Sequence, residues 1–402
     1  MTPLDADSIR TIFDAPAPLT VGIEEELMLL DPETLDLAPR GPELFERVQA
    51  AAGEPEPAAS APPRDGRFKL EMPAAQFEIA SPALRNAADA ADFLHTARRD
   101  LARAADGLVR LATAGVHPFA DEEGELNAGE RYKRVAEEYG AFARRQLVFG
   151  LQVHVAIRPA DTALAVYNGL RNHLPELLAL AANSPVYRGR DTGLAAIRPK
   201  LCELLPRQGV PPPLASWDEY ARALDWGGRA GTIPEAAVWW WELRPHPSFG
   251  TLEVRVPDAQ RTVEESAAVV AVVHALAAHL AERHENGEPP LDPAPTWRIQ
   301  ENRWQALRHG LDGTLADLET GAPTPTRERL TALLETLAPT ASAQGSEQHL
   351  AAARSLVEKN GAARQREIHN QGGIRTLTEW LVGGFDQPPT GQERPGWGPD
   401  RT

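Results

Sequence analysis

Four short segments alternate apolar and polar side chains with a period of two, which predicts β-strands. They cover residues 20–30, 76–80, 151–157 and 251–256. Successive side chains of a strand point to opposite faces, so each segment has one apolar face and one polar face. An antiparallel sheet with one face on a core and the other in water accommodates such strands. The chain is therefore predicted to build a sheet of this kind.

The polar face of these strands carries an unusual set of residues. Each strand contributes two of them at i, i+2 spacing: Glu24 and Glu26, Gln76 and Glu78, Gln152 and His154, and Glu253 and Arg255. A merely solvated face is the simplest interpretation of any one strand. However, strands are depleted in carboxylates, and neighbouring like charges destabilise a sheet unless a cation lies among them.

A divalent cation would explain this clustering of acids. Mg²⁺ prefers oxygen ligands, a few carboxylates and bound phosphate, and a guanidinium such as that of Arg255 can bind phosphate in bidentate fashion. The carboxylates available for such a site are Glu24, Glu26, Glu71, Glu78 and Glu253, with His154 as an auxiliary ligand. From the residues alone, a metal–phosphate site and a solvated sheet face remain equal alternatives.

Three-to-four residue spacing of apolar side chains predicts helices over residues 85–114, 164–182, 263–283, 326–337 and 347–366. Strands and helices mix without regular alternation, which favours an α+β fold with a mainly antiparallel sheet. Loops rich in Pro, Gly and Ala are predicted at 53–63, 206–213, 287–295 and 321–325. We expect a single domain over residues 1–385 and a disordered tail over residues 386–402, which are rich in Pro and Gly.

Composition excludes several classes of function. A formal charge of −16 argues against nucleic acid as a partner. The sequence has no stretch of about 18 uninterrupted apolar residues, so a membrane span is not expected. The N-terminus lacks a signal pattern and Cys202 is the only cysteine, so we expect a cytoplasmic protein without disulfides. None of the four lysines follows a glycine, so a Walker-type phosphate loop is absent.

A set of ordered motifs runs from about residue 19 to about residue 382. They are Gly22-Ile-Glu-Glu-Glu-Leu, Glu71 seven residues before Glu78, Gly115-Val-His-Pro-Phe, Glu130-Arg-Tyr, Phe149-Gly-Leu-Gln-Val-His-Val, Ala182-Asn-Ser-Pro, and Arg244-Pro-His-Pro-Ser-Phe-Gly-Thr-Leu-Glu-Val-Arg-Val-Pro-Asp258. In these motifs and their order, the chain resembles the glutamate–cysteine ligase type 2 family, also called the carboxylate–amine ligases.

The resemblance implies a fold similar to that of glutamine synthetase, in which a curved antiparallel sheet forms an active-site cradle with helices packed outside. It implies that ATP phosphorylates the γ-carboxylate of glutamate and that the amine of cysteine, or of a related amino acid or amine, attacks the acyl phosphate. Mg²⁺, with Mn²⁺ as a substitute, would be the metal. The expected partners are these small molecules and, by family analogy, further copies of the chain.

Roles for individual residues follow from the same resemblance. The metal ligands would be Glu24, Glu26, Glu71, Glu78, His154 and Glu253, and the ATP-binding residues would be Glu24, Glu26, Glu253 and Arg255. Arg255 and Glu78 would be catalytic. Arg198, Arg244, Asn183 and Ser184 would bind substrate, although the last two are equally typical of a helix-end cap.

The sequence departs from the family pattern in several places, including Lys200, where many relatives carry a polar amide. Gln152 and Ala156 stand where relatives often carry the first histidine and the glycine of His-Val-His-Val-Gly, and Lys200 and Cys202 lie near the expected pocket. These departures leave two alternatives open: the same chemistry on a different acid and amine, or a non-catalytic protein that binds nucleotide or metal. The retained carboxylates argue against the second alternative.

Overall fold

The computed structural model describes residues 5–51, 66–232, 236–288 and 293–385. The strands in these ranges are β1 (Val21–Leu30), β2 (Phe68–Leu70), β3 (Gln76–Ala80), β4 (Arg110–Ala112), β5 (Leu151–Val155), β6 (Val186–Tyr187), β7 (Arg190–Asp191), β8 (Leu243–His246), β9 (Thr251–Val254), β10 (Thr314–Ala316) and β11 (Pro323–Pro325). All four strands predicted from the alternation are present, and three of them are shorter than predicted.

Seven of these strands form one antiparallel sheet in the order β2-β3-β1-β5-β9-β8, with β4 also paired to β1. The ten-residue strand β1 is long enough to pair with β3 on one side and with β5 and then β4 on the other. The pairs β6–β7 and β10–β11 are separate two-stranded ribbons. The polar strands are therefore neighbours in one sheet.

The helices surround this sheet. They are α1 (Ala6–Asp14), α2 (Gly41–Ala51), α3 (Ala87–Ala105), α4 (Glu130–Tyr139), α5 (Ala141–Arg144), α6 (Ala160–Ala181), α7 (Arg198–Cys202), α8 (Trp217–Ala230), α9 (Val263–Glu285), α10 (Thr296–His309), α11 (Thr326–Ala343), α12 (Glu347–Glu358) and α13 (Gly361–Val382), with short 3₁₀ turns at Ala236–Val238 and Gly310–Asp312. The predicted α+β class with a mainly antiparallel sheet and helices outside is confirmed.

Helix α9 is the centre of the helical layer. Thr262 and Glu265 begin it with a reciprocal capping box, which satisfies two backbone N–H groups of the first turn. The helix packs against α3, α6, α11 and α12. It is long and apolar enough to span a membrane, but 89% of its most apolar window is buried inside the protein. Its uniform hydrophobicity is therefore that of a core helix.

The core face of the sheet contains one buried ion pair. Glu25 lies between the polar residues Glu24 and Glu26 in sequence but points to the opposite face, where it is fully buried. Arg98 of α3 donates hydrogen bonds of 2.8 and 2.7 Å to its two carboxylate oxygens. Ser266 of α9 donates a third hydrogen bond of 2.7 Å. The pair therefore ties β1 to two helices.

Two helix predictions differ from the structure in a way that changes the order of the elements. The helix predicted over 85–114 ends at Ala105, because Asp106 takes a non-helical ψ of 130° and Gly107 then takes a positive φ of 68°. Residues 110–112 then form β4 beside β1. The helix predicted over 347–366 is two helices, because Asn360 leaves the helical conformation and its side chain caps the start of α13.

Several predictions concern residues outside the described ranges. The loop predicted at 53–63, part of the loop at 287–295 and the tail at 386–402 belong to this group. The proposal of one domain over residues 1–385 stays a prediction.

Candidate active site

The register of the sheet brings the predicted polar residues into two rows. Glu78 on β3 pairs directly with Glu26 on β1 and, on its other side, with Lys69 on β2. Two strands away, Glu253 on β9 lies opposite both His154 on β5 and Arg244 on β8. Residues paired in this way lie on the same face of a sheet. Glu24 and Gln152, which also pair, join the two rows.

Glu24, His154 and Glu253 form a group that could hold a metal ion. Their ligand atoms all lie within 4.8 Å of one another. The Nε2 atom of His154 is 3.8 Å from a carboxylate oxygen of Glu24 and 4.0 Å from one of Glu253. Within the described residues this buried nitrogen has no hydrogen-bond partner, while Nδ1 contacts the hydroxyl of Thr251 at 3.0 Å. A second nitrogen fixed by a hydrogen bond is the usual state of a metal-binding histidine.

Glu26, Glu71 and Glu78 form a second acidic group. Burial raises the pKa of Glu26 to about 7 and that of Glu71 to about 7, and neighbouring carboxylates add to both shifts. Burial together with Glu24 and Glu71 raises the pKa of Glu78 well above its usual range. The raised pKa values indicate that nearby positive charge does not fully balance the ionised forms of these carboxylates. A divalent cation among them would favour their ionised forms.

Lys69 supplies part of the missing charge and was not singled out by the sequence. Its Nζ atom lies 3.0 Å from a carboxylate oxygen of Glu24 and 2.9 Å from one of Glu78. Burial of Glu24 opposes its ionisation, but His154 and Lys69 outweigh that effect and lower its pKa to about 2. Only the register of β2 against β3 reveals this lysine, because in the sequence it stands apart from every motif.

Arg255 belongs to a chain of charge-assisted hydrogen bonds across the sheet. It donates to Glu253 and, at 2.6 Å, to Oε1 of Gln152. The amide of Gln152 in turn donates at 2.9 Å to Glu26. Burial of Glu253 opposes its ionisation, but Arg255, Arg244 and His154 outweigh it and hold its pKa well below the usual range. One face of the sheet thus combines ionised acids with a guanidinium.

A pocket opens over this face. It is lined by Glu26, Glu71, Met72, Pro73, Gln76, Arg131, Tyr132, Val135, Gln146, Val148, Gln152, Arg198, Pro199, Cys202, Leu205, Gln208, Trp240, Glu242 and Arg255. The lining combines carboxylates and Arg255 with the apolar side chains of Val135, Leu205 and Trp240, which we call the apolar side of the pocket. Such a pocket can hold a polar reacting group against the sheet and an apolar group away from it.

A family model described as glutamate–cysteine ligase family 2 matches residues 20–380 of this chain. The chain belongs to that family. It is accordingly an ATP-dependent ligase of the carboxylate–amine type, which forms carbon–nitrogen bonds.

Relatives of the ligase extend over nearly its whole length. A protein of Rubrobacter xylanophilus, provisionally named glutamate–cysteine ligase 2-3, is 37% identical over 378 residues, which are 93% of this chain and 99% of that protein. A protein of Gloeobacter violaceus, provisionally named glutamate–cysteine ligase 2, is 36% identical over 363 residues, 89% of this chain and 94% of that protein.

Two solved structures share the fold of the ligase. The glutamate–cysteine ligase of Francisella tularensis, in complex with AMP, superposes with a TM-score of 0.67 at 11% identity over 92% of this chain and 89% of that chain. A bifunctional glutathione synthetase from Pasteurella multocida gives a TM-score of 0.57 at 14% identity over 94% of this chain and 54% of that chain. At these identities, the likeness shows the fold alone.

The two arginines predicted to bind substrate are both engaged by the ligase itself. Arg198 lines the pocket, but it donates at 2.8 Å to Asp258 and at 2.7 Å to the carbonyl of Pro257. Arg244 donates to both carboxylate oxygens of Glu253, at 2.6 and 3.1 Å. Their substrate-binding role stays a prediction, and the structure gives each of them a positioning contact.

Asn183 and Ser184 are fully buried below the pocket of the ligase. The hydroxyl of Ser184 and the backbone N–H of Asn183 both donate to one oxygen of Asp258, at 2.7 and 2.8 Å. Neither residue is among the pocket-lining residues. Their substrate-binding role also stays a prediction, and the observed contacts fix the aspartate that holds Arg198.

Lys200 and Cys202, the two residues noted near the expected pocket, lie in different places. Cys202 lines the pocket, and burial raises the pKa of its thiol to about 11, so the thiol is neutral. Lys200 points elsewhere and pairs at 2.7 Å with Glu203. Of the two, only the cysteine can contact a ligand in the pocket. Lys200 and Cys202 are two positions apart on α7, so their side chains lie on different faces of the helix.

Proposed function

We propose that this ligase joins the γ-carboxylate of glutamate to the amine of cysteine or of a related amino acid in the cytoplasm, with an acyl phosphate as intermediate. One observation carries the proposal. Arg255, which can bind a phosphate, lies in the same pocket wall as acids that remain short of positive charge. The family membership and the fold support the choice of reaction.

Two groups of residues suit the Mg²⁺ that this chemistry uses. Glu24, His154 and Glu253 would hold one ion, because the free Nε2 of His154 faces both carboxylates. Glu26, Glu71 and Glu78 would hold another, because Glu26 and Glu78 are paired on neighbouring strands and, in addition to the effect of burial, the three carboxylates raise one another's pKa. Bound Mg²⁺ supplies positive charge to the phosphate oxygens of ATP.

The reaction proceeds in two steps, phosphoryl transfer and then attack by the amine. A γ-carboxylate oxygen of glutamate attacks the γ-phosphorus of ATP, the bond from that phosphorus to the bridging oxygen breaks, and ADP leaves. The amine nitrogen then attacks the acyl carbon, phosphate leaves with its oxygen, and the nitrogen gives up a proton as the amide forms. Arg255 would stabilise the charge on the transferring phosphoryl group. Glu78 would help to hold a metal ion as one of the three carboxylates of the second acidic group.

The apolar side of the pocket also suits this chemistry. An acyl phosphate hydrolyses if water reaches it, so the second substrate has to fill the space in front of it. Trp240 and Leu205 provide an apolar surface that an amino-acid side chain can cover. The ring of Trp240 also packs edge-on against that of Tyr139, with 5.6 Å between the ring centroids. The neutral thiol of Cys202 adds to the apolar surface.

Release of ADP tests the proposal. Purified protein with ATP, Mg²⁺ and L-glutamate should release ADP only when an amine from a panel headed by L-cysteine is added, and mass spectrometry should detect the γ-glutamyl product. We expect Arg255→Ala to lower kcat by about 100-fold or more, as loss of a transition-state donor does. Arg375→Ala, on the exposed side of α13, is the matched control.

Each outcome has a clear meaning. Turnover that needs glutamate and one particular amine supports the proposal and names the acceptor. Turnover only with another acid keeps the ligase chemistry and replaces glutamate. Absence of ADP release with every acid and amine, from folded protein, would overturn the proposal. Assembly into a homo-oligomer stays a prediction.

A further inference from the structure

Three arginines line the pocket, and they differ in what holds them. Arg198 is paired with Asp258, and Arg255 is bonded to Glu253 and Gln152. Arg131, in contrast, makes no hydrogen bond or ion pair with any residue of the ranges 5–51, 66–232, 236–288 and 293–385. Among the pocket-lining arginines of the described residues, Arg131 therefore differs from Arg198 and Arg255 in that no protein group occupies its guanidinium.

The start of α4 holds Arg131 in the lining of the pocket. It is the second residue of α4, and the next residue, Tyr132, donates a hydrogen bond of 2.8 Å from its hydroxyl to the carbonyl of Leu70 at the end of β2. This bond fixes the first turn of α4 beside Glu71, which follows β2. The guanidinium lies near enough to Glu71 to influence its pKa, although it makes no ion pair with it. Arg131 itself is exposed.

The surroundings of Arg131 indicate which ligand it suits. Val135, one helical turn further along α4, and Glu71 also line the pocket. A ligand in this pocket therefore meets the guanidinium of Arg131 together with apolar side chains and carboxylates. A guanidinium without a protein partner matches a carboxylate of the ligand, which it can bind in bidentate fashion.

We propose that Arg131 binds the α-carboxylate of an amino-acid substrate. The inference rests on the proposed ligase function and deepens it, because it requires at least one of the two substrates to be an α-amino acid. A simple amine, or an acid without that carboxylate, would leave Arg131 without its partner. The glutamate donor and the amine acceptor both offer this group, and the experiment distinguishes them.

Arg131→Gln is the direct test, and it removes the guanidinium and its charge while keeping a shorter polar side chain. We expect the KM for one amino-acid substrate to rise by about 10- to 100-fold, as loss of a charged hydrogen bond implies, with little change in kcat. A rise in the KM for glutamate would assign the donor, and a rise in the KM for the amine would assign the acceptor. Arg134→Gln, on the same helix but outside the pocket lining, is the matched control.

A substrate comparison gives a readout that misfolding cannot imitate. The native protein should prefer L-cysteine over cysteamine, or L-glutamate over 4-aminobutyrate, by about the same 10- to 100-fold factor. Arg131→Gln should lose that preference for the pair whose KM changes. Unchanged KM values for both substrates, or an equal change in Arg134→Gln, would overturn the inference. So would a higher Mg²⁺ requirement with unchanged KM values, because Arg131 would then only balance Glu71.

Failure of this inference and failure of the ligase proposal give different results. If the native protein turns over and Arg131→Gln behaves like it, only the inference fails. If the native protein shows no turnover, calorimetric titration with L-glutamate and with L-cysteine still tests Arg131. Weaker binding of one of them by Arg131→Gln, but not by Arg134→Gln, would uphold the inference without the ligase activity, and equal binding would overturn it.

Discussion

The guanidinium of Arg255 donates a hydrogen bond of 2.6 Å to the amide oxygen of Gln152, a residue on the neighbouring strand β5. The amide nitrogen of the same glutamine donates to Glu26. Gln152 therefore connects the arginine that we propose binds phosphate with Glu26, a carboxylate of the proposed second metal site.

Replacing Gln152 by leucine should lower kcat by about 10-fold, because Arg255 loses an acceptor and Glu26 loses a donor inside the site. Steady-state ADP release with saturating substrates measures the effect. Gln152→His should restore most of the rate, since one ring nitrogen can accept from Arg255 while the other donates to Glu26. Equal rates for the leucine variant and the native protein would refute a positioning role for Gln152.

Replacing His154 by leucine should weaken the binding of a divalent cation by at least about 10-fold, because one of three converging ligand atoms disappears. Electron paramagnetic resonance titration with Mn²⁺ measures the affinity without depending on turnover. His279→Leu, on α9 and outside the group of three, is the control. Equal Mn²⁺ affinity in the two variants would remove His154 from the set of ligands.

Replacing Lys69 by methionine should make the protein depend more strongly on Mg²⁺ for its stability. Its ammonium lies between the partly buried Glu24 and the buried Glu78, and without it these acids repel each other unless a metal ion is bound. We expect a lower Tm in the presence of EDTA and a larger rise in Tm on addition of Mg²⁺ than in the native protein. Lys133→Met, at an exposed site on α4, should leave both values unchanged. An equal rise in Tm for Lys69→Met and native protein would contradict this account.

Acid should destabilise the protein partly through His117. Burial lowers the pKa of this histidine to about 4, whereas in the unfolded chain its pKa is about 6.5. Between these pH values the unfolded chain binds a proton that the folded protein does not, so the free energy of unfolding decreases as the pH falls from about 6.5 to about 4. The contribution of this one group is on the order of 3 kcal/mol.

His117→Gln removes that titration and can keep part of the bonding, since His117 contacts the carbonyl of Leu35 and accepts from the N–H of Ala120. Urea unfolding at several pH values should show a shallower loss of stability in this variant than in the native protein. His309→Gln, at an exposed position, should keep the native slope. Parallel curves for the native protein and His117→Gln would show that the histidine is not responsible.

The alternation of side chains was enough to predict the four strands with one polar face and the residues that share that face. Period-two patterns are local, so Glu24 and Glu26 on one face and Glu25 on the other follow directly from strand geometry. The helix predicted over 85–114 was too long, because a periodic pattern does not register the turn at Asp106 and Gly107, where the backbone leaves the helical conformation. The ordered motifs identified the family, which composition could not do.

The arrangement of charges, in contrast, depends on tertiary structure. Lys69 neutralises Glu24 and Glu78 because β2 pairs with β3 in one register, and the core packing that fixes this register involves residues far apart in sequence. Likewise, a sequence lists arginines without showing which carboxylate each one meets. Only the folded chain pairs Arg198 with Asp258 and leaves Arg131 open to the pocket, because ion pairs form between residues that the fold, rather than the chain order, brings together.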